Sequence, residues 1–262
     1  MSEAAVGRPS GVAVRGPRRI DRETLLMLVV PPVLVLLVFG GYVLWRETAD
    51  LDPTELRQLA WPTILDQIWD HTKLTLVTSA LVVVVAVPLG VLLTRGRVGR
   101  AVAPVVVGIA NVGQAAPSIG LLVLLAIWIG FGFWTAVLAL TLYGLLPVLR
   151  NTITGLQGVD PTLVEAGRGL GMSSGSVLLR IELPLALPVI MTGVRTALVL
   201  VVGTATLATF INGGGLGATI NSGITLFRFS VMIAGAVLVA LLALTIEWLG
   251  RLLELVAKPK GI

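Results

Sequence analysis

Long runs without a charged residue alternate with short polar segments along this chain. The first run is Leu25–Trp45, and five more follow: Leu74–Leu93, Pro104–Ile129, Phe133–Leu149, Leu187–Phe210 and Phe229–Leu249. Only the fifth contains a basic residue, Arg195, and the sixth carries the acid Glu247 near its end. One bilayer crossing needs roughly 20 apolar residues. The pattern therefore predicts an all-α polytopic membrane protein with about six transmembrane helices. The first run exceeds the roughly 7–15-residue apolar region of a signal peptide. With more spans behind it, it reads as an uncleaved anchor.

The polar segments differ in character. Residues 1–24 hold Arg8, Arg15, Arg18, Arg19 and Arg22 among scattered Gly and Pro, without hydrophobic period, which predicts a disordered basic tail. Residues 46–73 carry Glu47, Asp50, Asp52, Glu55, Asp66 and Asp70. Within them Ile64, Leu65, Ile68 and Trp69 recur at helical spacing, predicting a short interfacial helix over Trp61–Lys73. The 94–100 loop has Arg95, Arg97 and Arg100 and no acid. Residues 150–186 are polar and punctuated by helix signals. A glycine-rich stretch, read as a flexible outer loop, covers 211–228, and a short basic tail closes the chain.

Six spans place both termini on one side. Arg46, Arg57, Lys73 and Arg228 are then the only Lys/Arg in the segments of the opposite side. Cytoplasmic loops carry the Lys/Arg excess, so both termini are expected to be cytoplasmic. The net charge of +5 follows from the same bias and gives no reason to invoke nucleic acid.

Composition narrows the chemistry. The chain is 56% hydrophobic and 13% charged, against about 25% charged for a soluble domain, which sets aside an ordinary water-soluble enzyme. Without cysteine there is no disulfide framework, thiolate metal site or cysteine nucleophile. A single histidine, His71, gives no multi-histidine metal site, and Asp70–His71 is expected in a solvated loop. Gly171, Ser173 and Gly175 fit G-x-S-x-G, but a nucleophile elbow needs a strand–turn–helix and a histidine base, and His71 is expected on the opposite face. A P-loop needs lysine after glycine to reach the β- and γ-phosphates; Lys73, Lys258 and Lys260 are the only lysines and none follows a glycine. No cofactor or metal is expected on this chain.

The 150–186 segment is the most informative. Asp160–Pro161 signals a helix start, because Asp caps open amides and Pro suits the first helical position. Gly169 and Gly171 end that helix near Arg168, and Ser173 or Ser174 can cap a second, ending near Leu183–Pro184. Two amphipathic helices joined by a glycine turn make either a folded interfacial loop or a docking element with an apolar face for a groove of a soluble partner.

Here the residues resemble a family. Glu165-Ala166-Gly167, three residues, Gly171, nine residues, then Ile181-x-Leu183-Pro184 resembles the EAA loop of bacterial ABC importer permeases of the MetI-like fold. Gly167 stands where that pattern has its second Ala. The stretch from His71 through Ser79, then Pro88-Leu89-Gly90 and Arg95, is similar to the first core helix of the osmoprotectant branch, the glycine betaine, carnitine and choline permeases. Gln114 with Pro117-Ser118, Tyr143 with Pro147 and Arg150-Asn151-Thr152, and Gly214-Gly215-Leu216-Gly217 strengthen the likeness.

The resemblance implies coupling helices between spans four and five, with Glu165, Ala166, Gly167, Gly171, Ile181, Leu183 and Pro184 gripped by a cytoplasmic ABC ATPase dimer that carries ATP and Mg. It implies a second permease copy, identical or different, and an extracytoplasmic substrate-binding protein, in a bacterial plasma membrane. It divides the chain into a tail (1–24), a leading helix and the start of the outer loop (25–60), a permease core (61–255) and a closing tail (256–262).

Asn111, Gln114, Pro117 and Ser118 place a polar, helix-breaking patch at membrane depth, which is tolerated facing protein or a cavity. They are candidate pathway residues or an interhelical hydrogen-bonding patch. Arg195 lies about 12 Å from the end of its span and can snorkel or pair with a carboxylate such as Glu182. Thr204, Thr206 and Thr209 suit back-bonding within span five. A quaternary ammonium ligand favours an aromatic cage; Trp128, Phe131, Phe133 and Trp134 cluster but read as an interfacial belt. The expected function is the permease subunit of an osmoprotectant importer. The alternatives are a methionine or other small-solute permease, an ion-coupled secondary transporter and a structural scaffold.

Overall fold

A computed structural model describes residues 22–257. The expected 1–24 and 256–262 tails lie outside these residues or at their edge. Every described element is helical. Among the described residues, six helices are long and apolar enough to cross a membrane: Leu25–Thr48, Trp61–Thr94, Gly96–Ala115, Phe133–Gln157, Ser174–Ile211 and Phe229–Leu255. The predicted number of spans holds, with altered boundaries.

Helix α1 (Arg22–Thr48) is followed by the short α2 (Pro53–Gln58). Asp52 caps α2 by accepting from the Thr54 and Glu55 amides, while Glu55 reaches back to the Asp52 amide. This reciprocal box is written locally in Asp52-Pro53-x-Glu55. Helix α3 (Trp61–Thr94) is 34 residues long. It absorbs the interfacial helix expected at Trp61–Lys73, because nothing between Lys73 and Leu74 breaks a helix once nucleated. At about 1.5 Å per residue it is ~50 Å long, longer than the roughly 30 Å apolar core of a bilayer.

The expected third span is two helices. Helix α4 (Gly96–Ala115) starts inside the basic loop, so Arg97 and Arg100 belong to it, and α5 (Ser118–Ile129) is a 12-residue segment. The break follows from Pro117, which pushes the residue before it out of the helical region; Ala116 is extended at φ −64°, ψ 144°.

Helix α6 (Phe133–Gln157) leads to α7 (Pro161–Gly169) and α8 (Ser174–Val177). A π-helical turn, Leu178–Glu182, then joins α8 directly to α9 (Leu183–Ala205). The second short helix therefore does not end at Leu183–Pro184, as the sequence suggested. Pro184 lacks an amide and its ring crowds the carbonyl four residues back. The wider π turn, closed by the Leu183 amide on the Leu178 carbonyl, sits where that conflict falls. A 3-10 turn (Thr206–Ile211), α10 (Gly217–Thr225) and α11 (Phe229–Ala257) complete the chain.

Helices α3, α6 and α9 form the centre and pack with α4 and α5 on one side and α11 on another. Small residues allow the close approach. A Cβ at Gly144 of α6 would stand 3.1 Å from Val201 and 3.2 Å from Val82, and one at Gly193 of α9 would stand 2.7 Å from the Pro147 carbonyl. Lipid gives no hydrophobic drive between helices, so contact of this kind supplies the association. Leu74, Leu122, Leu140 and Ile211 fill one buried cluster, and Val82, Leu93, Val148 and Leu149 another.

Helix α1 is fastened by a specific bond. Pro32 has no amide, so the Leu28 carbonyl loses its helical partner. The Trp248 indole of α11 donates to that carbonyl at 2.9 Å. In hydrocarbon an open carbonyl is costly, and this contact closes it.

Candidate functional site

The two ends of α3 are tied to the rest of the bundle in different ways. Near its start, His71 is completely enclosed. Its Nε2 lies 3.0 Å from the Val202 carbonyl of α9, and its Nδ1 accepts from the Leu216 amide at 3.2 Å. Both nitrogens are satisfied by a neutral ring with the proton on Nε2. This corrects the solvated loop expected for Asp70–His71. The glycine stretch is corrected with it. Gly213, Gly215, Leu216 and Gly217 are buried, and α10 continues from them.

The glycines are there for backbone reach. Gly214 (φ +83°) and Gly215 (φ +95°) occupy left-handed conformations, and a Cβ on Gly215 would meet His71 Nδ1 at 3.0 Å. Gly217 lies against the Thr206 carbonyl so closely that a Cβ would be 1.8 Å from it.

At the other end is the spaced pattern. Asp160 caps α7 through the Thr162 amide, and that bond first, then the Thr162 side chain, holds its carboxyl below the usual range. Gly171 turns the chain at φ +80°, and Ser173 caps α8 through the Ser176 amide. Gly167 is buried, and a Cβ there would stand 2.5 Å from Ile181 and 3.5 Å from Met172 and Val177. The absent methyl at Gly167 therefore lets α7 lie close on α8 and the π turn. Glu165 and Ala166 face outward, while Ile181, Leu183 and Pro184 are partly buried where α9 begins. Leu170 (85% exposed), Leu179 (66%) and Leu163 (46%) present apolar surface on this end. The structure thus brings the two halves of the pattern together into one folded element.

The pathway residues lie on both sides of the α4–α5 break. None of Asn111, Gln114, Pro117 and Ser118 is buried. Asn111 accepts from the Arg150 guanidinium of α6 at 2.8 Å, a link across 39 residues that composition does not announce.

Arg195 pairs with Glu254 at 3.0 Å and lies 3.6 Å from Glu247, both on α11. Glu182, suggested as its partner, is instead held by both guanidinium nitrogens of Arg95. Helical direction explains the exchange. Thirteen residues of helix separate Glu182 from Arg195, about 20 Å along one axis, so neighbouring helices must supply their partners. Thr204 and Thr206 bond back to the Leu200 and Gly203 carbonyls, as expected. Trp128, Phe131 and Trp134 are largely exposed, and the Phe133 ring already carries the Lys73 ammonium 5.3 Å from its centre.

Residues 86–255 match the family described as the binding-protein-dependent transport system inner membrane component. The chain belongs to that family. The glycine betaine/carnitine/choline transport system permease protein OpuCB of Bacillus subtilis (strain 168) is 41% identical over 199 residues, covering 76% of this chain and 90% of the relative. The osmoprotectant import permease protein OsmW of Salmonella typhimurium is 41% identical over 199 residues, covering 74% of this chain and 91% of its own. Among solved structures, an inward-facing conformation of the MetNI methionine ABC transporter superposes with a TM-score of 0.68 over 77% of this chain and all of that chain. At 24% identity that likeness is one of fold. The family expected from the spacing around Glu165 is the family found, and the chain is a multi-pass component of the inner membrane.

Proposed function

We propose that this chain is the transmembrane subunit of an ATP-driven importer for a quaternary ammonium osmoprotectant such as glycine betaine, carnitine, choline or proline betaine. The observation that carries this reading is the 41% identity to osmoprotectant permeases across nine-tenths of their length. Both termini and the α7–α8 element face the cytoplasm in this reading, in line with the Lys/Arg distribution. The exposed Leu163, Leu170 and Leu179 seat in a cleft of an ABC ATPase subunit, which holds the ATP and Mg. Glu165 and Gly171 mark the docked surface. Two permease copies and two ATPases form the transporter, and an extracytoplasmic binding protein delivers the solute.

Asn111, Gln114, Pro117 and Ser118 line the solute path once a second copy faces them. The break at Pro117 is the kind of interrupted helix that borders a cavity. The exposed aromatic residues form a belt, so solute choice rests mainly with the binding protein. Arg195 is a structural anchor between α9 and α11. The permease core spans 61–255, with 25–60 as its leading helix.

The test is reconstitution of the chain with its ATPase and binding protein in proteoliposomes. ATP-dependent uptake of labelled betaine, choline or carnitine, exceeding that of methionine, is expected. Uptake driven by an ion gradient without ATP would replace this reading with a secondary transporter. Glu165→Lys should lower uptake per ATP hydrolysed while leaving membrane insertion intact.

A further inference from the structure

Arg95 stands alone between the last residue of α3 and the first of α4. The chain reverses there, with Gly96 at φ +63°, and α4 folds back so tightly that a Cβ on Gly99 would lie 2.4 Å from the Leu92 carbonyl. Arg95 is thus at the hinge of α4, the helix that carries Asn111 and Gln114. Its two terminal nitrogens take the two oxygens of Glu182. Glu182 is 6% exposed and is the last residue of the π turn by which α7–α8 is joined to α9. Arg95 Nε is buried and bonds to nothing among the described residues, so the fork on Glu182 holds the side chain.

Helix α4 has no fully buried residue, whereas α3, α6 and α9 are locked by close contacts. Of the six membrane-length helices it has the smallest buried share, so moving it opens the least packed contact. A bidentate guanidinium–carboxylate fork fixes orientation as well as distance; here it joins a buried carboxylate to a partly exposed cation, and a pair with a buried member is poor support for a purely stabilising role, because apolar replacements often serve stability as well.

We infer that Arg95 and Glu182 form the strut that passes movement of the α7–α8 element to the base of α4, and so to the face carrying Asn111 and Gln114. This rests on the importer reading above. The two are positioning residues. Neither meets the solute, and the strut acts through the placement of α4. The π turn belongs to the same device, since it locally relaxes the helical ladder beside the carboxylate.

The experiment measures solute uptake and ATP hydrolysis together in the reconstituted complex. The paired variant Arg95→Met/Glu182→Leu keeps the packing and leaves no buried charge alone, so it is expected to fold and assemble as the wild type does. Uptake per ATP should nevertheless fall roughly tenfold, the scale of one coupling contact, with hydrolysis continuing. Arg95→Lys keeps the charge and loses the fork; it should give an intermediate ratio. The exchange Arg95→Glu/Glu182→Arg should recover part of the loss seen in Glu182→Arg alone. A ratio within about twofold of wild type in the paired variant, or in Arg95→Lys should the paired variant fail to assemble, overturns the strut and leaves the importer reading standing. A wild-type complex that moves solute without ATP overturns both.

Discussion

The His71 end of the bundle and the Arg95 end are both fastened to α3, by opposite means. His71 is sealed among backbone groups, and its two neutral bonds join α3, α9 and the glycine stretch in one arrangement. Arg95 is a partly wet cation on a buried carboxylate, beside a π turn and a folded element whose leucines face outward. A saturated neutral clasp resists rearrangement, because any shift leaves a buried polar group open. A forked ion pair next to the proposed docking surface can move as a unit. In the proposed importer the contrast separates a part that sets geometry from a part that would receive the stroke.

Substitutions can break this contrast or sharpen it. The largest effect is expected at the clasp: Gly217→Ala drives a methyl into the Thr206 carbonyl and should cost about 3 kcal/mol, at the upper end of overpacking effects. The thermal midpoint in detergent measures it. His71→Ala opens the Leu216 amide and empties the ring site, for a loss of about 2 kcal/mol. If stability is instead unchanged while uptake per ATP collapses, the clasp is no static tie and the contrast fails.

At the other end, Gly171→Ala places a side chain at φ +80°, a strain of about 1–2 kcal/mol. It falls on α7–α8, so ATPase binding should weaken more than the global midpoint falls. Trp248→Phe opens the Leu28 carbonyl for about 1 kcal/mol. In a Pro32→Ala background the restored helical amide should erase that cost, which a double-mutant cycle reads directly.

The smallest effect is one of pH. The Asp160 carboxyl titrates below its ordinary value because the folded helix start binds its ionised form. A depressed folded value stabilises above the unfolded value near pH 4 and loses that contribution as pH falls through the folded value. Hydrogen exchange in α7 should accelerate, relative to the rest of the bundle, on acidification through that window in wild type. Asp160→Asn caps without titrating and should lack the acceleration.

A histidine beside an aspartate in an acidic stretch carries the local signature of a solvated loop, yet the partners of His71 lie 131 and 145 residues away. The partner of Glu182 is hidden for the same reason: the choice between Arg195 and Arg95 depends on which helix passes by, and Arg95 is 87 residues distant. The glycine stretch looked mobile because glycine permits both freedom and close approach, and only the neighbouring His71 and Thr206 show which applies. The helix break at Pro117 and the capped start at Asp160 were legible, since each acts within a few residues of itself.

The amino-acid sequence alone determined the number of helices long and apolar enough to cross a bilayer, and the spaced pattern around Glu165 and through it the family. Those features follow from the length of apolar chain a bilayer demands and from local backbone rules, and neither requires a partner from elsewhere. The tertiary structure alone decided which helices run on into one another and which polar group meets which. That is because a buried donor or charge must find its complement wherever packing brings one, and no local pattern along the chain records the distance.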